Sequence, residues 1–138
     1  MDPVETRVRV RYAETDQMGV VYHANYLVWM EVGRVEYWRA SGLRYRDMEL
    51  EDGVLLVVAE VNCRYLSPAV YDEEVMVRTS IAEATSRMIR FEYELIGVED
   101  GRRVATGYTK HVFCGRDRKP ARLPQKYHLA LGIGASKE

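Results

Sequence analysis

The sequence predicts a single α+β domain in which one long central helix is wrapped by a curved antiparallel sheet of five or six strands. Three observations lead to this fold class: a proline-free amphipathic stretch at residues 24–41, several apolar runs typical of strands, and short hairpin-type turns between the last of those runs. A chain of 138 residues is long enough for one domain with its own core. Because a lone apolar helix must be covered, one curved sheet is the simplest arrangement.

The long helix is predicted from Ala24 to Ser41, and Gly42 directly after it suits a left-handed cap. A glycine in the middle of a helix costs about 1 kcal/mol relative to alanine. We therefore expect another backbone to pass close to Gly33. Apolar residues at helical spacing form one broad face that should be buried: Tyr26, Leu27, Met30, Gly33, Tyr37 and Trp38.

The strands are predicted from their apolar patterns. Arginines alternate with apolar residues from Arg7 to Tyr12, whereas Val54 to Tyr65 is a continuous β-branched run typical of a central strand, ended by Pro68. Three further strands are predicted at residues 74–82, 89–95 and 104–113, with hairpins at 84–86 and 99–101 and a loop with a helical turn at 44–53. In the strand at 89–95 the alternating residues Ile89, Phe91, Tyr93 and Leu95 are the predicted inward set. Since such a sheet leaves edges unpaired, we expect dimerisation.

Composition excludes several classes of protein. The net charge of −1 provides no basic field for nucleic acid. No apolar run approaches the roughly 18 residues that span a bilayer, and charged residues follow Met1 where a signal peptide would be apolar. Cys63 and Cys114 fit no metal or redox spacing, so we expect buried thiols in a cytoplasmic protein.

Asp16 is the first candidate for chemistry. It lies in a short loop, with Gly19 three residues later and His23, near the helix start, seven residues later. A helix start offers unpaired N–H groups and the positive end of the helix dipole. A carboxylate brought close to such donors supplies two of the parts that acyl transfer needs. The plain alternative is that Asp16 only stabilises its loop.

The stretch YAETDQMGVVYHANYLVWMEVGRVEYW resembles the motif at the start of the central helix in hot-dog-fold acyl-CoA thioesterases of the 4-hydroxybenzoyl-CoA thioesterase/YbgC-like group. RYLSPAVYDEEV resembles the junction between their second and third strands, and ATGYTKHVF their final strand. The resemblance covers about residues 5–115 of a single hot-dog domain, 1–138, with a basic tail at 116–138. It implies a homo-oligomer with the dimer as unit, active sites at the dimer interface, and a homotetramer as the expected assembly.

The resemblance also implies roles for individual residues. Asp16 matches the catalytic carboxylate, and the backbone N–H of His23 matches a donor of the oxyanion hole. Asp16 could attack the thioester carbonyl or deprotonate a water that does so. The imidazole of His23 could orient the substrate or merely cap the helix. The resemblance also implies that some hot-dog enzymes use an acid on the central helix, a role open to Glu31, but we expect Glu31 to pair with Arg34 instead. From the sequence itself, Glu14 is expected to face solvent.

Candidates for substrate contacts are Gly19, Val20, Tyr22 and Tyr26, although an aromatic stripe on a helix is more often core, which we expect for Tyr26 and Trp29. Coenzyme A carries phosphates, so basic residues should bind them. Two clusters qualify, and a solvated basic tail explains the first about as well: Arg116, Arg118, Lys119 and Arg122 after the last strand, then Arg87 and Arg90 on the neighbouring hairpin.

We therefore predict a cytoplasmic thioesterase that hydrolyses acyl-CoA to the free acid and CoA with no metal or organic cofactor, no nucleic-acid partner and no membrane insertion. Three other functions fit the resemblance. The substrate could be an acyl-carrier-protein thioester. The protein could be a hot-dog dehydratase of 3-hydroxyacyl thioesters, with His23 as base and Glu31 as acid. It could also be a non-catalytic module that binds acyl-CoA. His111 is expected as a hydrogen-bonded sheet residue, and His128 as exposed.

Overall fold

The computed structural model describes residues 2–133, and its strands form one antiparallel sheet of five. The order across the sheet is β1-β3-β4-β5-β2, so β1 and β2 are the two edges. Neighbours in the sheet that are consecutive in sequence, β3 with β4 and β4 with β5, are joined by the hairpins that the turn residues predict. The bounds are β1 Val4–Arg9, β2 Val54–Tyr65, β3 Glu74–Ala84, β4 Met88–Gly97 and β5 Arg103–Gly115.

The helix α1 runs from Asn25 to Ala40, within one residue of the predicted bounds at each end. Its 16 residues correspond to a length of about 24 Å. Gly42 adopts a left-handed φ of +85°, and the amide of Leu43 donates to the carbonyl of Trp38 at 3.1 Å, as the glycine predicts for a helix end. The remaining helical segments span three to five residues each: Tyr12–Glu14, Tyr45–Asp47, Met48–Asp52, Gln125–Tyr127 and Leu129–Leu131.

Helix α1 packs closely against the sheet at Gly33, but the expectation that another backbone passes there is wrong. A Cβ at Gly33 would lie 2.4 Å from Oγ1 of Thr79 and 2.7 Å from Cγ1 of Val77, both side chains of β3. A backbone contact of this kind occurs instead at Gly107 of β5, where a Cβ would lie 2.2 Å from the carbonyl oxygen of Asn62. The glycine in α1 therefore admits β-branched side chains of the sheet.

The core lies between α1 and one face of the sheet. The predicted inward set of β4 is confirmed, as is the apolar face of the helix, where Trp29 joins the core and Leu27 does not. Leu27 is 36% exposed, so its assignment to the buried stripe is wrong. The chain after β5 also contributes apolar side chains. The buried residues from these three sources are Tyr26, Trp29, Met30, Tyr37 and Trp38; Ile89, Phe91, Tyr93 and Leu95; and Leu123, Tyr127 and Leu131.

The second strand has the predicted bounds but not the predicted place in the sheet. Among residues 2–133, β2 pairs only with β5 and forms an edge, whereas its continuous apolar run predicted a central strand. Val57, Val58 and Val61 are each more than 40% exposed. A continuous apolar run shows that both faces avoid water and does not show what covers them. In this chain nothing described covers the middle of β2.

Candidate active site

Asp16 opens a tight turn that brings two short extended segments together. Its backbone N–H donates to the carbonyl of Val20 at 2.8 Å, and its carbonyl accepts from Gly19 at 3.0 Å. Gly19 has a φ of +81°, a conformation that glycine adopts without strain. Thr15 and Val21 form a bridge beyond the turn, so the segment folds back on itself like a miniature hairpin. The turn explains why a glycine is needed three residues after Asp16.

The carboxylate of Asp16 is half-buried and uses one oxygen within its own loop. Oδ1 accepts the backbone N–H of Met18 at 2.8 Å, which is the loop-stabilising contact of the plain interpretation. Within residues 2–133 the structure gives Oδ2 no hydrogen-bond partner. Asp16 thus stabilises the loop with one oxygen and leaves the other available.

The Asp16 turn is docked on the junction between β2 and β3. Val20 forms an antiparallel bridge with Val70, and the amide of Val21 donates to the carbonyl of Ala69 at 2.9 Å. Ala69 itself is completely buried. These backbone contacts fix the end of the turn, at Val20 and Val21, to the junction.

Two backbone N–H groups at the start of α1 have no acceptor among residues 2–133. The amides of the first helical residues are taken by turn-type bonds: Asn25 donates to Tyr22 at 2.9 Å and Tyr26 to His23 at 3.4 Å. In the described part of the chain, the amides of His23 and Ala24 have no acceptor. The donor predicted at His23 is therefore free, and Ala24 adds a second that the sequence did not indicate. Orphan amides of this kind favour an anion.

Glu14 is buried, and the expectation that it faces solvent is wrong. It is 5% exposed, and its carboxylate accepts the indole N–H of Trp29 at 3.1 Å and the backbone N–H of Arg11 at 2.8 Å. Its backbone carbonyl accepts from Tyr22 at 2.8 Å and from Nδ2 of Asn25 at 2.9 Å. Glu14 therefore joins the segment before the Asp16 turn to α1 at two residues, Trp29 and Asn25, and is held on either side of the turn by Arg11 and Tyr22. No local sequence pattern indicates a partner 15 residues away.

Tyr65 is a second residue whose place the sequence did not indicate. It is the last residue of β2, and its hydroxyl donates to the carbonyl oxygen of His23 at 2.9 Å. Its ring lies edge-on to that of Tyr26, with centroids 5.1 Å apart. Partial burial, followed by the neighbouring thiol of Cys63, raises the pKa of Tyr65 to about 12. The phenol accordingly stays protonated and can donate at neutral pH.

The candidate substrate residues differ in exposure. Tyr22 is 48% exposed and lies against the ring of His23, whose side chain is also exposed. Tyr26 and Trp29 are buried, as expected for core residues, and their rings meet edge-on at 5.1 Å. Burial also raises the pKa of Tyr26. Tyr22 and His23 are therefore the rings of this group that a ligand can reach directly.

The expectation that Glu31 pairs with Arg34 is wrong. Within the described residues Glu31 is exposed and has no ion-pair partner, while the guanidinium of Arg34 reaches the hydroxyl of Tyr93 at 3.5 Å. His111 lies nearby, fully buried, with Nε2 bonded to Thr109 at 2.8 Å and Nδ1 without a partner in the described part of the chain. Burial, and secondarily Arg34, lowers the pKa of His111 to about 4. His111 is thus a sheet residue, as expected, but only one of its nitrogens is satisfied.

Except for Arg90, which lies nearer the middle of the sheet, the basic candidates lie toward the Val54 end, opposite the Asp16 turn. Arg116 has a structural role, since its guanidinium donates to the backbone carbonyls of Glu49 and Leu50 at 2.8 Å. Arg90 stacks on Tyr108 with its guanidinium carbon 3.9 Å from the ring centroid. The other basic candidates are exposed: Arg87, Arg118, Lys119 and Arg122. His128, expected to be exposed, is half-buried and contacts the carbonyl of Leu123 at 3.0 Å.

Two cavities lie away from the Asp16 turn. One of about 1240 Å³ lies between Tyr37, the β3–β4 hairpin and the chain after β5, and one of about 440 Å³ lies on the sheet around Tyr93 and Tyr108. Neither is lined by residues 10–30. Among residues 2–133, no group of three or more His, Cys, Asp or Glu side chains is placed to hold a metal ion, and no helix has the length and apolar character to cross a membrane.

Comparisons with known proteins agree with these features. The model of the thioesterase-like superfamily matches residues 10–131. "Putative acyl-CoA thioesterase YneP" of Bacillus subtilis is 54% identical over 76 residues, which are 55% of this chain and 54% of that protein. The acyl-CoA thioesterase YbgC of Haemophilus influenzae is 37% identical over 89 residues, 64% of this chain and 65% of that protein. The crystal structure of DHNA-CoA thioesterase from Staphylococcus aureus superimposes with a TM-score of 0.90 at 35% identity, covering 96% of this chain and 90% of that one.

These matches confirm the resemblance to YbgC-like thioesterases, and they confirm the predicted hot-dog fold in its antiparallel sheet packed on a helix. The chain spans about half the length of the Bacillus protein and just under two thirds of the Haemophilus protein. The family model, by contrast, extends over nearly the whole described chain. The chain belongs to the thioesterase-like superfamily.

Proposed function

We propose that this protein hydrolyses acyl-CoA thioesters to the free acid and CoA. One observation carries the proposal: a carboxylate oxygen without a partner in the described chain, on Asp16, belongs to a turn fixed to the start of α1, where two amides are also unpartnered. Thioester hydrolysis needs these two elements, a base or nucleophile and donors for the developing oxyanion. The similarity to YneP, named a putative acyl-CoA thioesterase, and to YbgC, named an acyl-CoA thioesterase, supports the same reaction.

In this reaction the thioester carbonyl lies between Asp16 and the start of α1. Asp16 attacks the carbonyl carbon to form a mixed anhydride that water then hydrolyses, or it deprotonates a water that attacks directly; both routes expel the CoA thiolate. In each route negative charge develops on the carbonyl oxygen, and the amides of His23 and Ala24 donate to it. One such donor contributes about 3–4 kcal/mol to lowering the barrier.

A homodimer joined along β2 completes the site. A 12-residue edge strand with exposed valines offers unpaired backbone groups and apolar surface, which a second copy covers by adding its own β2. In this arrangement α1 is the central helix, around which the sheet curves. A homotetramer of such dimers remains our prediction. The exposed apolar side chains on this edge and beside its end are Tyr22, Val57, Val58, Val61, Tyr65 and Leu66.

Dimerisation also decides which basic residues reach the CoA phosphates. In one chain the segment after β5 begins beside Val54, and β2 extends about 36 Å from there to Tyr65, which contacts His23. Two β2 strands paired in antiparallel fashion place the Val54 end of one copy beside the Tyr65 end of the other. We therefore assign the phosphates to Arg118 and Lys119 of the other copy.

The two cysteines favour a cytoplasmic location for this protein. Cys63 and Cys114 are free thiols, and burial raises the pKa of Cys63. Free cysteines of this kind are typical of reducing compartments. The proposed hydrolysis uses the side chains and amides of the protein itself, with CoA as part of the substrate and product.

The test is Asp16→Asn, assayed by release of the CoA thiol from a panel of aromatic and aliphatic acyl-CoAs. We expect kcat to fall by about 10²–10⁴-fold, because the amide is neither nucleophile nor base. The matched control is Asp47→Asn, in a short helical turn away from the site, which should keep wild-type kcat. Circular dichroism and size-exclusion chromatography verify fold and assembly in both variants.

Three results would contradict the proposal in different ways. Full activity of Asp16→Asn removes Asp16 from the chemistry. Formation of an enoyl product without thiol release indicates a dehydratase, and saturable binding of acyl-CoA without turnover indicates a binding module. Much higher kcat/KM on acyl-carrier-protein thioesters than on CoA thioesters would keep the hydrolysis and change the substrate carrier.

A further inference from the structure

We propose that Tyr65 is a positioning residue that orients the peptide between His23 and Ala24 and thereby aims the amide of Ala24 at the oxyanion. This inference rests on the proposed hydrolysis. It concerns the hydroxyl of Tyr65, which contacts the backbone and not the reacting atoms.

The geometry links the hydroxyl to the amide through one rigid unit. The carbonyl of His23 and the N–H of Ala24 belong to the same peptide, which is planar and trans, so they point in opposite directions. The hydroxyl of Tyr65 donates to that carbonyl at 2.9 Å. Holding the carbonyl therefore fixes the direction of the N–H. A hydrogen bond to the carbonyl also polarises the peptide and strengthens its N–H as a donor.

Few other contacts within the described chain restrain this peptide. The amide of Tyr26 donates to the same carbonyl, but at 3.4 Å. Ala24, the residue before α1, has no side chain that can cap the helix, and His23 is exposed. The turn at Asp16 is held by several backbone bonds, whereas the peptide carrying Ala24 depends mainly on Tyr65.

Tyr65 is itself well placed to act as a support. It closes the β2–β5 ladder opposite Ala105, and its ring contacts Tyr26 at 5.1 Å and His23 at 6.3 Å, both edge-on. Tyr26 is buried on α1, so the phenol ring is held on one side by the core. The hydroxyl remains protonated because partial burial raises the pKa of Tyr65.

A direct contact between the ring and the substrate is the competing role, since Tyr65 is 46% exposed. The two roles affect different constants. A positioning role acts on the oxyanion, which exists only in the transition state and intermediates, so its loss lowers kcat and leaves KM unchanged. A substrate contact present in the ground state raises KM.

The experiment compares Tyr65→Phe with Tyr127→Phe. Tyr127 also donates its hydroxyl to a protein oxygen, the carboxylate of Asp52, but in the segment after β5, so the control loses a similar bond elsewhere. We expect kcat of Tyr65→Phe to fall about tenfold, a fraction of the 10²–10³-fold effect of deleting a whole oxyanion donor. KM and the Kd for a thioether analogue of the substrate should stay within about twofold. Tyr127→Phe should retain wild-type kcat.

A spectroscopic measurement tests the bond without relying on activity. His–Ala occurs once in the sequence, at residues 23–24, so labelling histidine with ¹³C at the carbonyl and alanine with ¹⁵N gives a single correlated NMR signal from this peptide. We expect the ¹³C resonance to move upfield in Tyr65→Phe and to stay in place in Tyr127→Phe. If Tyr65→Phe dissociates into single subunits, the wild-type protein alone provides the test. A ¹³C shift of its His23 carbonyl that is typical of an unbonded carbonyl would then overturn the proposal.

Unchanged kcat in Tyr65→Phe would overturn the positioning role, and so would a raised KM and Kd with kcat preserved. Asp16→Asn is assayed beside it. Loss of activity in Asp16→Asn together with full activity in Tyr65→Phe would refute only the role of Tyr65. Full activity in Asp16→Asn would refute the proposed function itself.

Discussion

Replacing Glu14 by alanine should destabilise the protein more than replacing any exposed acidic residue by alanine. The carboxylate is 5% exposed and accepts two N–H groups, one from the buried indole of Trp29 and one from the backbone of Arg11. A hydrogen bond to a charged group contributes about 1.5–3 kcal/mol, and a donor left unpaired in the core adds a desolvation cost. Two such bonds give an expected loss of about 3–4 kcal/mol in the free energy of unfolding.

Urea unfolding followed by circular dichroism measures this loss. With a slope of about 2 kcal/mol per molar urea, the midpoint should fall by about 1.5–2 M at equal protein concentration. The matched control is Glu5→Ala, whose carboxylate pairs with Arg78 at 3.7 Å and is about half exposed, so the change should stay below about 0.5 kcal/mol. A midpoint for Glu14→Ala within 0.3 M of the wild type would refute the role of Glu14 as the link between the Asp16 turn and α1.

Two further predictions concern His111 and the β2 edge. Burial and Arg34 lower the pKa of His111 to about 4, so the folded state favours the neutral ring. The contribution of this ring to the free energy of unfolding is therefore complete above pH 6.5, the ordinary pKa of histidine, and is lost as the pH falls toward 4. Between pH 7 and 4, the free energy of unfolding measured by urea titration should therefore fall by up to about 3 kcal/mol more in the wild type than in His111→Gln. Equal decreases in the two proteins would show that His111 is not the source of the pH dependence. Val61→Lys, on the exposed edge, should yield folded monomers by light scattering and lose turnover, whereas an active monomer would show that one chain carries a complete site.

Most of the fold follows from local patterns. The period of the helix and the glycine after it locate α1 to within one residue, and alternation in β4 identifies its four buried apolar side chains. The place of β2 could not be predicted in this way, because a continuous apolar run only reports that both faces avoid water. At Gly33, likewise, the sequence indicates a close neighbour but cannot distinguish a backbone from the side chains of Thr79 and Val77.

In the site, the parts that are local in sequence were predictable and the parts that join distant segments were not. Gly19 and the free amide of His23 lie within a few residues of Asp16, and the motif contains all three. Glu14 and Tyr65 act on partners 15 and 42 residues away, through a buried indole and a backbone carbonyl. Alternation from Tyr12 gives no direction for Glu14, because β1 ends at Arg9 and a helical turn follows.

The properties that made β2 look like a central strand are also the reason to expect a second subunit. An edge of 12 residues with exposed valines is costly to leave in water, and pairing it with its own copy makes it central in a ten-stranded sheet, as the apolar run predicts. The same pairing brings the basic segment of one copy to the Tyr65 end of the other, which no contact within one chain can do across about 36 Å. A single strand thus connects the apolar pattern, the support of the oxyanion peptide and the place of the CoA phosphates. If the edge does not pair, the support of Ala24 by Tyr65 can still hold, because both residues belong to one chain, but the assignment of Arg118 and Lys119 fails.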